Sequence, residues 1–191
     1  RLALAAPAVS ILPTDLMASI STLESPAPIG FVVPWIGAIA MQSDVPTVVL
    51  DRLQDAGNVG TVLRSAAAFG FAQVVALKGT AGLWSPKVLR AGMGAHFGLS
   101  LIEGLDAAAL SALTVPLLAT SSHASQAINQ LPLPWPCAWV LGHEGEGVSA
   151  AVQSQCHLAL RIPQPGGEES LNVGAAAAVC FYESTRQRSI A

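Results

Sequence analysis

The sequence predicts an α/β domain: a parallel sheet flanked by helices. Three observations predict it. From about residue 46, short apolar runs alternate regularly with helical patterns. Those runs show no polar alternation, as expected of strands buried on both faces. The length of 191 residues suits one such domain with a short appendage.

The elements follow in order. Thr47 to Leu50 is the first strand, and Asn58 to Phe69 the first helix, closed by Gly70. The apolar stripe of that helix is Val59, Val62, Leu63, Ala66 and Ala67, with Asn58 as its expected N-cap. Gln73 to Leu77 is the next strand, and Ser85 to Ala91 a short helix ended by glycines. Leu99 to Ile102 and Pro116 to Ala119 are strands separated by a helix over Leu105 to Leu113. Ala138 to Leu141 and His157 to Ile162 complete the strands, with a helix between them and a long Ala-rich helix after Ser170. Residues 1–45 are rich in Pro, Ser and Ala, with an amphipathic patch (Leu12 to Leu23), a strand-like run (Ile29 to Val33) and a linker (Val33 to Pro46).

The chain is 52% hydrophobic and 11% charged, with a mean hydropathy of +0.53. No apolar stretch reaches the roughly 18 to 20 residues of a membrane-spanning helix. So apolar a chain with so little charge is expected to cover some surface with a second copy of itself. The net charge of −3 opposes unaided electrostatic capture of nucleic acid. Cys137, Cys156 and Cys180 lack metal spacing and read as buried thiols of a cytosolic protein. No signal-peptide pattern is evident, and the start at Arg1 suggests that upstream residues are missing from the sequence.

Three clusters carry chemistry. The first runs from Asp51 through Gly57-Asn58-Val59-Gly60 to Arg64. Arg64 lies well off the apolar stripe, so it reads either as a solvated helix charge or as a guanidinium aimed at a phosphate or a reacting hydroxyl. The second is Leu141-Gly142-His143-Glu144-Gly145-Glu146-Gly147. Its glycine spacing is not the dinucleotide fingerprint, and it lacks the second His of a zinc-protease helix. Three glycines fit a loop whose backbone approaches a ligand, with Glu144 held near the site. The third joins Ile162-Pro163, the Gly166-Gly167 pair, Glu168 and Glu169, and Ser170-Leu171-Asn172-Val173. Ser170 reads as an N-cap, or as a donor beside free backbone N–H groups that would hold an anionic or polar ligand. Glu168 and Glu169 suit the helix dipole.

Taken together, in this order and at these intervals, the clusters resemble the three signature motifs of the SpoU (TrmH) family of RNA 2′-O-ribose methyltransferases, in the SPOUT superfamily. The likeness covers about residues 47–185, and Arg90 to Phe97 resembles a further short block of the family. His143 stands where the family often has Asn, and Gly92 where Ser is common. The resemblance implies a C-terminal trefoil knot formed from roughly Pro116 to Arg186, a homodimer, and S-adenosylmethionine bound by Ala119, Thr120, Gly142, Ile162 and Leu171. It also implies a catalytic set of Arg64, Asn58, Glu144, Ser170 and Asn172. Arg64 would stabilise the developing alkoxide, Asn58 position the nucleotide, Ser170 and Asn172 orient Arg64 or the phosphate, and Glu144 hold the guanidinium.

The substrate so implied is RNA, ribosomal in preference to transfer RNA, in the cytoplasm, with no metal and no membrane. Residues 1–45 would be the remnant of an N-terminal substrate-binding domain plus linker, and 46–191 the methyltransferase domain. The alternatives are a non-catalytic RNA-binding relative and a nucleotide-dependent oxidoreductase, the latter disfavoured by the missing glycine fingerprint. Trp84, Trp135, Trp139 and Tyr182 read as core or dimer contacts rather than base-stacking platforms. His96, His123 and His157 read as structural, and Arg186-Gln187-Arg188 as a solvated helix end or a phosphate contact.

Overall fold

The structure is a computed structural model that describes residues 8–21, 25, 27–34, 39–166 and 170–189. It divides into two units, Arg1–Ile36 and Gly37–Ala191. In the first, α1 (Thr14–Ile20) forms within the expected amphipathic patch and buries none of its residues. Ile29 to Val33, expected as a strand, is irregular and exposed. An apolar run becomes a strand through pairing with a neighbour, and among the described residues this one has none.

The second unit holds β1 (Thr47–Asp51), α2 (Ala56–Ala68), β2 (Gln73–Leu77), α3 (Pro86–Gly92), β3 (Ser100–Leu105), β4 (Leu117–Thr120), β5 (Gln126–Ala127), β6 (Ala138–Gly142), α4 (Ala150–Gln153), β7 (Leu158–Arg161) and α5 (Val173–Arg188). The helix expected over Leu105 to Leu113 is a shorter 3-10 turn at Ala107–Ala112, and a second such turn spans Ala95–Gly98. The linker expected before Pro46 is tied to the domain at Gln42 and Ser43. Gln42 N–H donates to Gln73 Oε1 at 3.1 Å, and Thr114 N–H donates to Ser43 O at 2.8 Å.

All seven strands are parallel, in the order β3-β2-β1-β6-β4-β7-β5. Strands β1, β2 and β6 are buried along their whole length, which is why they read as unbroken apolar runs. Alternate residues feed opposite faces. Val48, Leu50, Val74, Trp139 and Leu141 pack with Val59, Leu63, Ala66, Cys180 and Phe181 of α2 and α5. Val49, Val75 and Val140 pack with Leu110, Leu117 and Val152 on the other side. Each large apolar side chain buried this way contributes about 1.5–3 kcal/mol.

The aromatic and histidine side chains largely take the packing roles expected of them. Trp139 is fully buried and donates from Nε1 to Ser184 Oγ at 2.9 Å. Trp135 meets Phe71 edge-on at 5.5 Å, and His96 bonds Leu83 O through Nε2 at 2.8 Å. His157 Nδ1 accepts from Leu117 N–H at 3.2 Å. The three cysteines are free, and burial pushes the Cys137 thiol up to about 12 and Cys156 to about 11.

Both long helices start differently from expectation. The N-cap of α2 is Asp55, whose Oδ1 accepts from Asn58 N–H at 2.7 Å, so Asn58 lies inside the first turn with its amide free for other work. The N-cap of α5 is Asn172, whose Oδ1 accepts from Gly174 N–H at 2.9 Å and Ala175 N–H at 3.3 Å; Ser170 stands two residues ahead of it.

Helix α2 packs closely on α3 at Gly60. A Cβ at that position would strike Ala91 Cβ and lie 2.8 Å from Gly92 N. Gly60→Ala should therefore lower Tm by roughly 3–10 °C, from an overpacking cost of about 1–3 kcal/mol. Gly98→Ala faces open space and should leave thermal denaturation nearly unchanged.

Candidate active site

The carboxyl ends of β4, β6 and β7 lie side by side, and the loops leaving them enclose a cleft of about 650 Å³. Open α/β sheets offer ligands this position because the connecting loops diverge there. The segment leading into α5 closes the remaining wall.

The loop after β6 is a tight turn. His143 and Gly147 exchange backbone hydrogen bonds at 3.0 and 2.8 Å. His143 Nδ1 accepts from Gly145 N–H at 3.1 Å and Glu146 N–H at 3.2 Å. An asparagine side-chain oxygen makes the same kind of bond to backbone N–H groups two residues on, so the imidazole fills the acceptor role that an amide would take in such a turn. Gly147 has φ +71, and a Cβ on Gly142 would collide with Gly147 C and Val148 N. These two positions require glycine for conformation and for close approach respectively.

A continuous hydrogen-bond chain joins the three motifs. Asn172 Nδ2 donates to Asn58 Oδ1 at 3.0 Å, and Asn58 Nδ2 donates to Glu144 Oε1 at 3.2 Å. The same carboxylate accepts from Asp55 N–H at 3.3 Å and, through Oε2, from Gln54 N–H at 3.5 Å. Burial disfavours the charged form of Glu144. Hydrogen bonds from its own backbone N–H, from Asn58 and from Asp55 and Gln54 outweigh it, and the carboxyl ends below the usual range.

Of the residues expected to hold a cofactor, Thr120, Gly142, Ile162 and Leu171 line the cleft. Ala119 is fully buried inside β4, paired with Val140 and Ala159, and Thr120 presents the wall in its place. Of the residues expected to be catalytic, Glu144, Ser170 and Asn172 line the cleft and Asn58 is bonded to two of them. Arg64 sits on the exposed face of α2, outside the lining, and among the described residues it forms no hydrogen bond or ion pair. The carboxylate expected to hold the guanidinium instead binds Asn58 and the backbone at the start of α2. Asn172 likewise contacts Asn58 and caps α5 rather than touching Arg64 within the same chain. Gly167, Glu168 and Glu169 lie outside the described residues.

Two contributors escape sequence reasoning. Asp51 Oδ2 accepts from Ser149 N–H at 2.6 Å, and Arg52 Nη1 donates to Glu146 Oε2 at 2.7 Å. Both contacts span more than ninety residues and leave no local pattern. His123, read as structural, also lines the cleft. Among the described residues no group of three or more His, Cys, Asp or Glu could hold a metal ion, and no helix is long and apolar enough to cross a membrane.

A glycine-rich turn, a solvent-facing asparagine–carboxylate chain and a cleft at parallel strand ends are the marks of a ligand-binding α/β domain. Residues 46–182 match the SpoU rRNA Methylase family, and the chain belongs to that family. It is 36% identical over 145 residues to the 23S rRNA (guanosine-2′-O-)-methyltransferase RlmB of Bordetella pertussis, a match covering 74% of this chain and 59% of the relative. It is 35% identical over 140 residues to the 23S rRNA (guanosine(2553)-2′-O)-methyltransferase RlmP of Bacillus subtilis, covering 71% and 56%. The matched region thus spans less than two thirds of these relatives' lengths. Among solved structures, the SpoU methyltransferase AviRb from Streptomyces viridochromogenes in complex with AdoMet aligns with a TM-score of 0.71 and 27% identity, covering 79% of this chain and 63% of that one. An RNA 2′-O ribose methyltransferase aligns with a TM-score of 0.72 and 30% identity, covering 92% and 70%.

Folding lowers the Glu144 pKa from 4.5. Its carboxylate therefore stabilises the native state above that pH, and the contribution is lost as pH falls through the folded value. The Tm gap between wild type and Glu144→Gln should be widest near neutrality and narrow below about pH 4.5, as thermal melts across pH would record.

Proposed function

We propose that this chain transfers a methyl group from S-adenosylmethionine to a ribose 2′-hydroxyl of RNA, ribosomal RNA ahead of transfer RNA. The observation that carries the reading is the Asn172–Asn58–Glu144 chain at the cleft, which draws the three family motifs into one place. Family membership and the ribosomal RNA methyltransferases among its relatives support the substrate class.

The residues present fit the cofactor. The cleft volume suits a ligand of that size. Its wall combines apolar Leu160, Ile162 and Leu171 with backbone groups of a glycine turn, and Glu144 supplies negative charge for a sulfonium cation. When bound, S-adenosylmethionine supplies an electrophilic methyl group to the ribose oxygen.

The chain's own residues do the rest. Thr120, Gly142, Ile162 and Leu171 hold the donor, and Ser170 faces the same space. Asn58 and Glu144 fix the start of α2, and with it the position of a nucleotide against the cleft. Arg64 stabilises the 2′-oxygen as its proton passes to solvent water; the cationic guanidinium serves better as a charge stabiliser than as a base. Its exposed place on α2, away from its own cleft, suits a homodimer in which it reaches the partner subunit's cleft. The stripe of Ala175, Val179 and Tyr182 on α5 is exposed and apolar, and supports the same assembly.

The family's knot would involve the segment from about residue 116 to 186. Residues 1–45 are read as part of a substrate-binding segment, because α1 and the run Phe31 to Val33 leave apolar side chains uncovered. The site of action is placed in the cytoplasm, where ribosomal RNA is modified in bacteria.

Incubation of the protein with methyl-labelled S-adenosylmethionine and ribosomal RNA from cells lacking the gene should yield a 2′-O-methylated nucleotide. Absence of incorporation would overturn the reading. Arg64→Ala should cut transfer by about a hundredfold or more and leave calorimetric affinity for S-adenosylmethionine within about twofold. Retained turnover would remove Arg64 from the mechanism.

A further inference from the structure

Arg52 is held in an uncommon conformation by contacts from Gly79, Thr80 and Glu146. Its φ is +63, a left-handed backbone rarely adopted outside glycine. Its N–H donates to Thr80 Oγ1 at 3.1 Å, and Thr80 Oγ1 in turn donates to Leu50 O at 3.0 Å. The side chain lies beside Gly79, where an added Cβ would sit 3.3 Å from Arg52 Cγ. From there the guanidinium meets two carboxylates. Nε lies 3.4 Å from Asp51 Oδ1, and Nη1 donates to Glu146 Oε2 at 2.7 Å. Asp51, buried at the end of β1, holds the far side of the same loop by accepting from Ser149 N–H at 2.6 Å.

We infer that Arg52 is a positioning residue: with Asp51 it clamps the 143–149 loop at two points and so sets the shape of the cleft wall that receives the methyl donor. The inference rests on the cofactor reading above. Glu146 lies on that wall, between Gly145 and Gly147, and a turn containing three glycines has little stiffness of its own. Without the ion pair, Asp51 would still anchor residue 149, but the tip at 145–147 would keep the His143 bonds alone. A non-glycine residue kept in a strained conformation beside a ligand wall is the arrangement expected where geometry is retained for a site rather than for stability.

Arg52→Gly separates the two roles, because glycine suits the backbone while removing the guanidinium. The variant should melt at or above the wild-type temperature. Its calorimetric Kd for S-adenosylmethionine should rise about fivefold, and amide hydrogen exchange at Gly145 and Glu146 should quicken about tenfold, the scale of a lost loop contact. Glu146→Ala should reproduce both effects without touching the backbone at 52, and the double variant should be no worse than either single one. Arg52→Lys should recover part of the affinity. Unchanged affinity and exchange in both single variants, or fully additive losses in the double, would overturn the inference. Faster exchange in Arg52→Gly with no S-adenosylmethionine binding by either protein would uphold the clamp and overturn the cofactor reading.

Discussion

The site depends on one side chain that bonds in both directions. Asn58 accepts from Asn172 and donates to Glu144, so a single amide fixes the start of α5 and the turn after β6 relative to the start of α2. Those three segments come from distant parts of the chain, and the apolar core does not specify how their tips meet. The amide's directionality does. Its donor and acceptor ends are distinct, and each is matched to a partner that needs the opposite character. Glu144 accepts from three N–H groups at once, and the same bonds that orient it favour its charged form.

The sheet supplies the platform for that amide. With β6 between β1 and β4, the strand ends bearing Asp51, Gly142 and Thr120 adjoin one another. Strands β1 and β6 carry their buried residues to the last position. The loops therefore leave a rigid edge, and the short contacts made by Asp51 and Gly142 are precise because their backbones are immobilised by packing. Function is concentrated in short polar segments at that edge, while the apolar interior sets only their spacing.

Sequence reasoning reached the sheet almost completely, since strands buried on both faces announce themselves as continuous apolar runs. It missed β5, whose two residues, Gln126 and Ala127, are too few to show a period. It misassigned both caps for a common reason. Asp55 and Asn58 are equally good capping residues in isolation, and Ser170 and Asn172 are too. The choice between them is made by a contact across 114 residues, from Asn172 to Asn58, that no local pattern encodes. The cleft wall was legible at Thr120, Gly142, Ile162 and Leu171 because motif glycines and strand exits mark it. Arg52 was not, because its partner is fixed by tertiary geometry.

Helix α5 enters at the cleft through Asn172 and runs on to bury Ala177, Cys180 and Phe181 against the sheet, with Trp139 bonded to Ser184. Its first turn belongs to the site and its middle belongs to the core. Helix α5 is therefore anchored along its length: it cannot swing aside without stripping Phe181 from the interior. Ligand entry and exit are accommodated by the loops facing it, and α5 acts as the stationary jaw.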